Sequence, residues 1–305
     1  MQVIPNDFRW EDWSPAREHA KIIRPSSLAG KVVDTFYGDE ETKGAHFPWD
    51  KTGNKGLRIR DREVTIYSGP RGSYKSLVTG QIALHLMRQD ERVLIASFEM
   101  RPEQTMHRLT RQATGTDQPS IEWVNRFHKW TDDRLWIYDH LGRCLPHQVE
   151  AVCRYATQEL GIKHIFIDSL MKCTKEADDR TEQKNFVSSL CAMALEYGVH
   201  INLVAHTRKP TAGVNGFDSN DVRGAGEIAD QVDNIVMVWR DKHEEEEKKP
   251  DANLDTEEKP DVYLKWDKQR NGAYEGKLGF WFNARSLAVV ERPNGHWPRI
   301  ALENE

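Results

Sequence analysis

The sequence predicts an α/β fold: a mainly parallel sheet covered by helices on both faces, with a short N-terminal arm before it. Three observations lead there. From Glu63 onward, short apolar runs alternate with segments of helical period, the pattern of a sheet whose strands are buried on both faces. A glycine-rich turn, Gly69-Pro70-Arg71-Gly72-Ser73-Tyr74-Lys75-Ser76, joins the first such run to the first such helix. A later run, Ile165-Phe166-Ile167, ends in Asp168.

The elements follow in order. Residues 1–47 are rich in Pro, Trp, Asp and Lys and lack a strong period, and read as an arm before a core domain over 48–305. Within the arm, Ser14 caps a helix with Pro15 at its first position, and the stretch from Ser26 to Val33 begins another. Glu63–Ser68 reads as a buried strand and Lys75–Met87 as a helix. Arg92–Phe98 is a second strand, followed by a helix from about Arg101 to Thr114. Leu135–Tyr138 and His164–Asp168 are strands separated by a helix carrying Val149, Val152, Cys153 and Ala156. A helix over Thr181–Tyr197 and a strand over His200–His206 come next. Asn234–Trp239 and Val262–Trp266 continue the sheet, and Lys277–Phe282 forms a late edge. The charged stretch between Asp241 and Asp261 reads as a solvated hairpin connection.

Composition bounds the function without choosing it. The 305 residues suffice for one sizeable core. With 38% hydrophobic and 30% charged residues, the chain reads as a soluble globular protein. No apolar run approaches the roughly 18 residues of a membrane span, so no membrane role is expected. The N-terminus has no basic start or apolar core, so no secretory signal is read there. The four cysteines, Cys144, Cys153, Cys173 and Cys191, form no Cys-x-x-Cys pair. Cys153 and Cys191 fall in apolar helical patterns and read as core thiols, and a cytoplasmic setting is the default. A net charge of −5 leaves nucleic-acid binding open, since only the charge of the contacting face matters.

The chemistry starts at the glycine-rich turn. Backbone amides turning into a helix N-terminus stabilise phosphate charge, so Gly69 to Ser76 would cradle a nucleoside triphosphate. Lys75 would reach the β- and γ-phosphates, and the Ser76 hydroxyl would ligate magnesium. The usual pattern is G-x-x-x-x-G-K-[ST], and Tyr74 stands where its final glycine is expected. If that position needs a left-handed backbone, a side chain there costs about 1 to 2 kcal/mol; Gly72 could absorb part of the turn, and Tyr74 could also mark weakened hydrolysis. Asp168, ending an apolar strand, can hold the magnesium water shell. Glu99, after the strand that follows the phosphate-loop helix, could orient and deprotonate an attacking water, or simply cap the next helix.

From about Pro48 to Val290, these ordered motifs resemble the motor domain of ring-forming replicative helicases of the DnaB type. The chain is most similar to the helicase half of phage primase–helicases and their mitochondrial relative Twinkle. The resemblance implies a RecA-like core that hydrolyses ATP or another NTP with Mg2+ and translocates on single-stranded DNA as a homo-oligomer, a hexameric ring. A primase or polymerase partner is further implied, as is a host cytoplasm if the source is a phage. Ser97-Phe98-Glu99-Met100 matches the family segment whose glutamate is the catalytic base. His206 matches a polar residue that senses the γ-phosphate and signals to the DNA loops. Asp221–Asp233 resembles the R-G-S-G segment and its helix, with Arg223 at the arginine and Ala225 and Gly226 departing in part from the pattern. The stretch from Thr207 to Asn220 corresponds to a channel-lining loop, making Arg208 and Lys209 phosphate contacts and Asn215 and Asn220 hydrogen-bonding ones. Lys172 and Lys175, after Asp168, form a second candidate DNA loop or a solvated surface. Lys268-Gln269-Arg270-Asn271-Gly272 resembles the K-x-R-x-G turn, whose arginine reaches the nucleotide of the neighbouring subunit. That assigns Arg270 as a finger acting in trans, assisted by Lys268. Helicases of this class also carry a linker helix that docks on the next subunit, a part residues 14–35 could play. The rival readings are a RecA-like recombination or regulatory ATPase, a DNA-binding scaffold with weak hydrolysis, and a helicase loader.

Overall fold

Successive side chains of a strand point to opposite faces of a sheet, so a strand apolar at every position needs cover on both sides. The computed structural model, which describes residues 25–38, 44–176, 179–207, 225–241 and 259–302, meets that demand with two cores. Its strands are β1 (Val64–Gly69), β2 (Val93–Ser97), β3 (Leu135–Tyr138), β4 (His164–Asp168), β5 (His200–His206), β6 (Asn234–Arg240), β7 (Val262–Gln269), β8 (Gly276–Asn283) and β9 (Ala288–Val290). They lie in the order β3-β2-β4-β5-β1-β6-β7-β8-β9. The pairs from β3 through β6 are parallel, and those from β6 to β9 are antiparallel. This is a RecA-like P-loop NTPase architecture with a mixed, mostly parallel sheet.

The helices are α1 (Ala29–Tyr37), α2 (Asp50–Gly53), α3 (Lys75–Arg88), α4 (Pro102–Thr114), α5 (Ile121–Thr131), α6 (Pro146–Leu160), α7 (Arg180–Tyr197) and α8 (Ala225–Gln231). On one face Ile66, Leu94, Ile165 and Ile167 pack with Val149, Val152 and Cys153 of α6 and Phe186 and Leu190 of α7. On the other Tyr67, Ile95 and Phe166 pack with Val78 and Ile82 of α3, Leu109 of α4 and Phe127 of α5. The alternation Ile66/Tyr67, Leu94/Ile95 and Ile165/Phe166 between the two cores is the period of two acting on fully buried strands. Cys153 is fully buried and Cys191 partly so; burial pushes their thiols up to about 12 and about 11.

Besides α2 and the extension of β7 to Gln269, which puts Lys268 in the strand, the structure departs from the sequence reading in three places. Lys277–Phe282 was expected to form the late edge, but β9 pairs outside β8 through Trp281 and Val290. Gln81 of α3 holds β9 in place, its amide donating to the Val289 carbonyl at 2.9 Å and accepting from the Val289 amide at 2.8 Å. A three-residue strand is too short for alternation to reveal. Second, α5 was not foreseen, although Ser120 caps it by accepting from the Trp123 amide at 3.2 Å. Its Trp123, Phe127 and Trp130 stack in series. Third, the segment from Ser26 starts as a 3-10 turn, Pro25–Leu28, before α1. Val32, Val33, Phe36 and Tyr37 of α1 are all exposed. The expected helix at Ser14 and most of the charged connection between Asp241 and Asp261 lie outside the described residues.

Candidate nucleotide site

In a parallel sheet the carboxyl ends of the strands share one edge, and ligands bind in the crevice outside it. Here the loop after β1, Glu99 after β2, Asp168 at the end of β4 and His206 at the end of β5 converge on a cleft of about 1030 Å³.

The phosphate loop is shaped by three backbone positions. Gly69 lies so close to β6 that a Cβ there would meet the Val238 carbonyl oxygen at 1.9 Å. Gly72 has φ +75°. Tyr74, the residue standing in for glycine, has φ 67° and ψ 15°, squarely left-handed. The position therefore does require the turn that glycine ordinarily supplies, and Gly72 makes its own left-handed turn besides. The Tyr74 carbonyl then accepts from Leu77 and Val78 at 3.0 and 2.9 Å, starting α3. Its ring stacks on Phe282 of β8, centroids 4.1 Å apart and planes 16° from parallel, with the Arg240 guanidinium 5.0 Å from its centre.

Lys75 is buried, and its ammonium donates to the Gly69 and Pro70 carbonyls at 2.8 and 2.7 Å. Burial lowers its pKa to about 8, with Asp168 and Glu99 pulling the other way. The Ser76 hydroxyl donates to Asp168 Oδ2 at 2.5 Å. Burial raises the Asp168 pKa, countered mainly by that hydroxyl. Ser73 Oγ, also in the loop, is buried with no hydrogen-bond partner among the described residues. Pro70 and Arg71 complete the loop, Arg71 exposed at the cleft wall.

Glu99 Oε1 accepts from the Ser169 hydroxyl at 2.9 Å and lies 3.8 Å from His206 Nε2. The His206 ring and the Ser169 hydroxyl hold its carboxyl down at about 2 against the cost of burial. Such a carboxylate stays ionised and is suited to orienting a water. Ser169 had no role in the sequence reading; only its place beside Asp168 hinted at one. Lys172 also lines this cleft, beside Met171, whereas the Lys175 amide donates to Glu182 Oε2 at 2.6 Å away from it. Arg108 of α4 and Arg143 are further basic residues at the cleft that no motif announced. Arg208, Lys209, Asn215, Asn220 and Arg223 lie outside the described residues.

Lys268 and Arg270 stand at the opposite edge of the sheet. The Arg270 amide donates to the Asp233 carbonyl at 2.9 Å, and the Asp233 amide to the Val64 carbonyl at 3.1 Å. That turn is level with the start of β1, so five strand residues, roughly 16 Å, separate it from Gly69. No arginine side chain spans that gap to its own phosphate loop. The Arg270 guanidinium instead pairs with Asp233 at 3.1 Å and donates to the Asp230 carbonyl at 3.2 Å. Lys268 donates to the Ala229 and Asp230 carbonyls at 2.8 and 3.1 Å. Both cations thus sit on the last carbonyls of α8, where the helix dipole favours positive charge. The turn itself is fixed by Asn271, which donates to Glu63 Oε1 at 2.8 Å.

Fold and cleft together define a P-loop nucleoside triphosphatase. The AAA domain family matches residues 54–212, and the chain belongs to it. The DNA helicase/primase of Enterobacteria phage T3 is 23% identical over 240 residues, which cover 72% of this chain and 42% of that protein. The replicative DNA helicase DnaB of Haemophilus influenzae is 29% identical over 224 residues, 65% of this chain and 44% of that one. The chain thus matches less than half the length of these relatives. Among solved structures, a DnaB-like replicative helicase superposes with a TM-score of 0.72 at 16% identity, over 87% of this chain and 68% of the other. A second solved structure, described as an ATPase domain, does so with a TM-score of 0.71, also at 16% identity, over 88% and 98%. No helix among the described residues is long and apolar enough to cross a membrane.

Proposed function

We propose that the chain is the motor of a DnaB-like DNA helicase, hydrolysing ATP at interfaces between copies and coupling that hydrolysis to movement along single-stranded DNA. The observation that carries the reading is the division of the machinery between two edges of one sheet. Lys75, Ser76, Asp168 and Glu99 gather at one edge, and the turn carrying Arg270 lies at the other, roughly 16 Å along β1, too far to serve its own cleft; to serve a neighbour's it would exchange its contacts with Asp233 and α8.

Ser76 and Asp168 supply two hard oxygens, too few for a closed metal cage and suited to Mg2+, which keeps waters and takes the remaining oxygens from phosphates. When bound, the ion would neutralise charge on the β- and γ-phosphates. The chain's own residues do the rest. Lys75 exchanges its two carbonyl contacts for phosphate oxygens, and the loop amides hold the phosphates in place. Glu99 orients a water toward the γ-phosphorus; the bond to the β,γ-bridging oxygen breaks, releasing phosphate, the diphosphate and a proton. Arg270 from the adjacent copy stabilises charge on the transferring group. His206, touching Glu99 at the end of β5, leads directly into the segment proposed to contact DNA, 208–223, and so can report the state of the phosphates.

Oligomerisation is proposed on a second ground. The exposed Val32, Val33, Phe36 and Tyr37 give α1 an apolar surface suited to docking on the next copy. A six-membered ring, ATP over other nucleotides, and a primase or polymerase partner belong to the same proposal. The test is ATP turnover with and without single-stranded DNA. A motor is expected to turn over faster on DNA; turnover indifferent to DNA favours a regulatory ATPase or a scaffold.

A further inference from the structure

Tyr74 takes a left-handed backbone at a position where glycine would carry no strain. The penalty recurs in every folded molecule, so something must hold the residue there. Its ring is anchored to two strands that follow β1 in the sheet order: Phe282 of β8 stacks on it at 4.1 Å, and Arg240, the last residue of β6, places its guanidinium over it at 5.0 Å. The opposite end of the same loop is registered by β6 as well, through the close approach of Gly69 to the Val238 carbonyl. Between those anchors lie the loop amides that would meet phosphate, and Lys75 and Ser76 follow directly after Tyr74. The Tyr74 carbonyl begins α3, so the tilt of this one residue sets the direction of the helix N-terminus.

We propose that Tyr74 is a positioning residue: its stack with Phe282 and Arg240 clamps the phosphate loop in the conformation that presents Lys75 and Ser76 to a triphosphate. The inference rests on the nucleotide-hydrolysing reading of the cleft and deepens it. Tyr74 lines the cleft whereas Phe282 and Arg240 do not; they act through Tyr74. The clamp also gives β6 and β8 a grip on the loop, so a shift of either strand changes nucleotide affinity without touching the nucleotide. A glycine at position 74 would need no clamp, since it adopts the turn unaided. The consequence of losing Phe282 therefore depends on what occupies position 74.

The test is a double-mutant cycle read by direct binding of a fluorescent ATP analogue with Mg2+ to the full chain. In the Tyr74 background, Phe282→Ala is expected to weaken binding between about 2-fold and 10-fold, the worth of an aromatic pair. Phe282→Leu, which keeps apolar volume and removes the ring, should lose a similar factor. In the Tyr74→Gly background both changes should be nearly silent, and Tyr74→Phe, which keeps the stack, should bind as the wild type does. Urea unfolding of the same variants without nucleotide separates positioning from packing. Equal losses of affinity in both backgrounds, or coupling in stability with none in affinity, would overturn the clamp while leaving the cleft's function standing. A wild-type chain that binds no nucleotide overturns both.

Discussion

Acid should destabilise this fold through a histidine far from the phosphate loop. His200, at the start of β5, is buried, with Nε2 3.0 Å from the Thr65 hydroxyl and Nδ1 2.6 Å from the Arg60 carbonyl. Burial, helped by the nearby His164, brings its pKa down to about 3 from an ordinary 6.5. Between those values the unfolded chain binds the proton and the folded chain does not, so stability falls as pH falls. The contribution is complete above pH 6.5 and is lost progressively toward pH 3. Linkage puts the loss from this one group at about 2 kcal/mol by pH 5. Urea unfolding at pH 7.5, 6.5, 5.5 and 5.0 measures it against His200→Gln, which cannot titrate. The variant is expected to be less stable at pH 7.5, because glutamine cannot repeat both ring contacts. It should, however, lose about 2 kcal/mol less than the wild type on going to pH 5. Parallel stability curves would refute the argument and mean that the ring is protonated, or solvated, in the folded state.

Three other outcomes are expected. Gly69→Ala sets a Cβ against the Val238 carbonyl, a backbone clash that should cost about 1 to 3 kcal/mol of stability in a thermal melt and weaken nucleotide binding with it. Glu99→Gln should slow ATP hydrolysis by about 10²- to 10⁴-fold in steady-state assays while leaving nucleotide affinity within a few-fold of the wild type. Lys268→Met removes a cation from the last carbonyls of α8 and should destabilise the chain by about 0.3 to 1 kcal/mol, an effect that shrinks in high salt; an unchanged unfolding midpoint would show that α8 does not depend on it.

Much of this architecture was legible because burial on both faces writes itself into the chain. The runs at 135–138, 164–168 and 200–206 are apolar at nearly every interior position and matched their strands residue for residue. The phosphate loop was legible for a different reason: its chemistry needs a strand, a glycine-rich turn and a Lys-Ser pair in one contiguous stretch. Even the strain at Tyr74 could be anticipated, since the turn it occupies is one glycine ordinarily fills. What escaped was built from distant parts. Phe282 and Arg240 lie 208 and 166 residues beyond Tyr74, and nothing local marks either as its partner. Ser169 holds Glu99 across 70 residues. The edge strand β9 is three residues long and is secured by Gln81, a contact across 208 residues. By contrast, α5 was within reach: a capping serine and three aromatics on one face announce a helix, but a segment so rich in Trp, His and Lys hides its period. The docking of Arg270 and Lys268 on α8 was not legible either, because a basic turn after a strand says nothing of the carbonyls it will meet.

In the proposed motor each catalytic site is completed by two copies of the chain, one giving the phosphate loop and the other Arg270. Mixing Lys75→Ala with Arg270→Ala tests it most directly. Each variant alone should be nearly inactive, since one lacks the phosphate contact and the other the finger. In a one-to-one mixture, about a quarter of interfaces pair an intact phosphate loop with an intact finger, and DNA-stimulated ATP hydrolysis should return toward that level. A mixture as inactive as its two components, under conditions where the copies demonstrably exchange, would contradict the account and return Arg270 to a cap on α8.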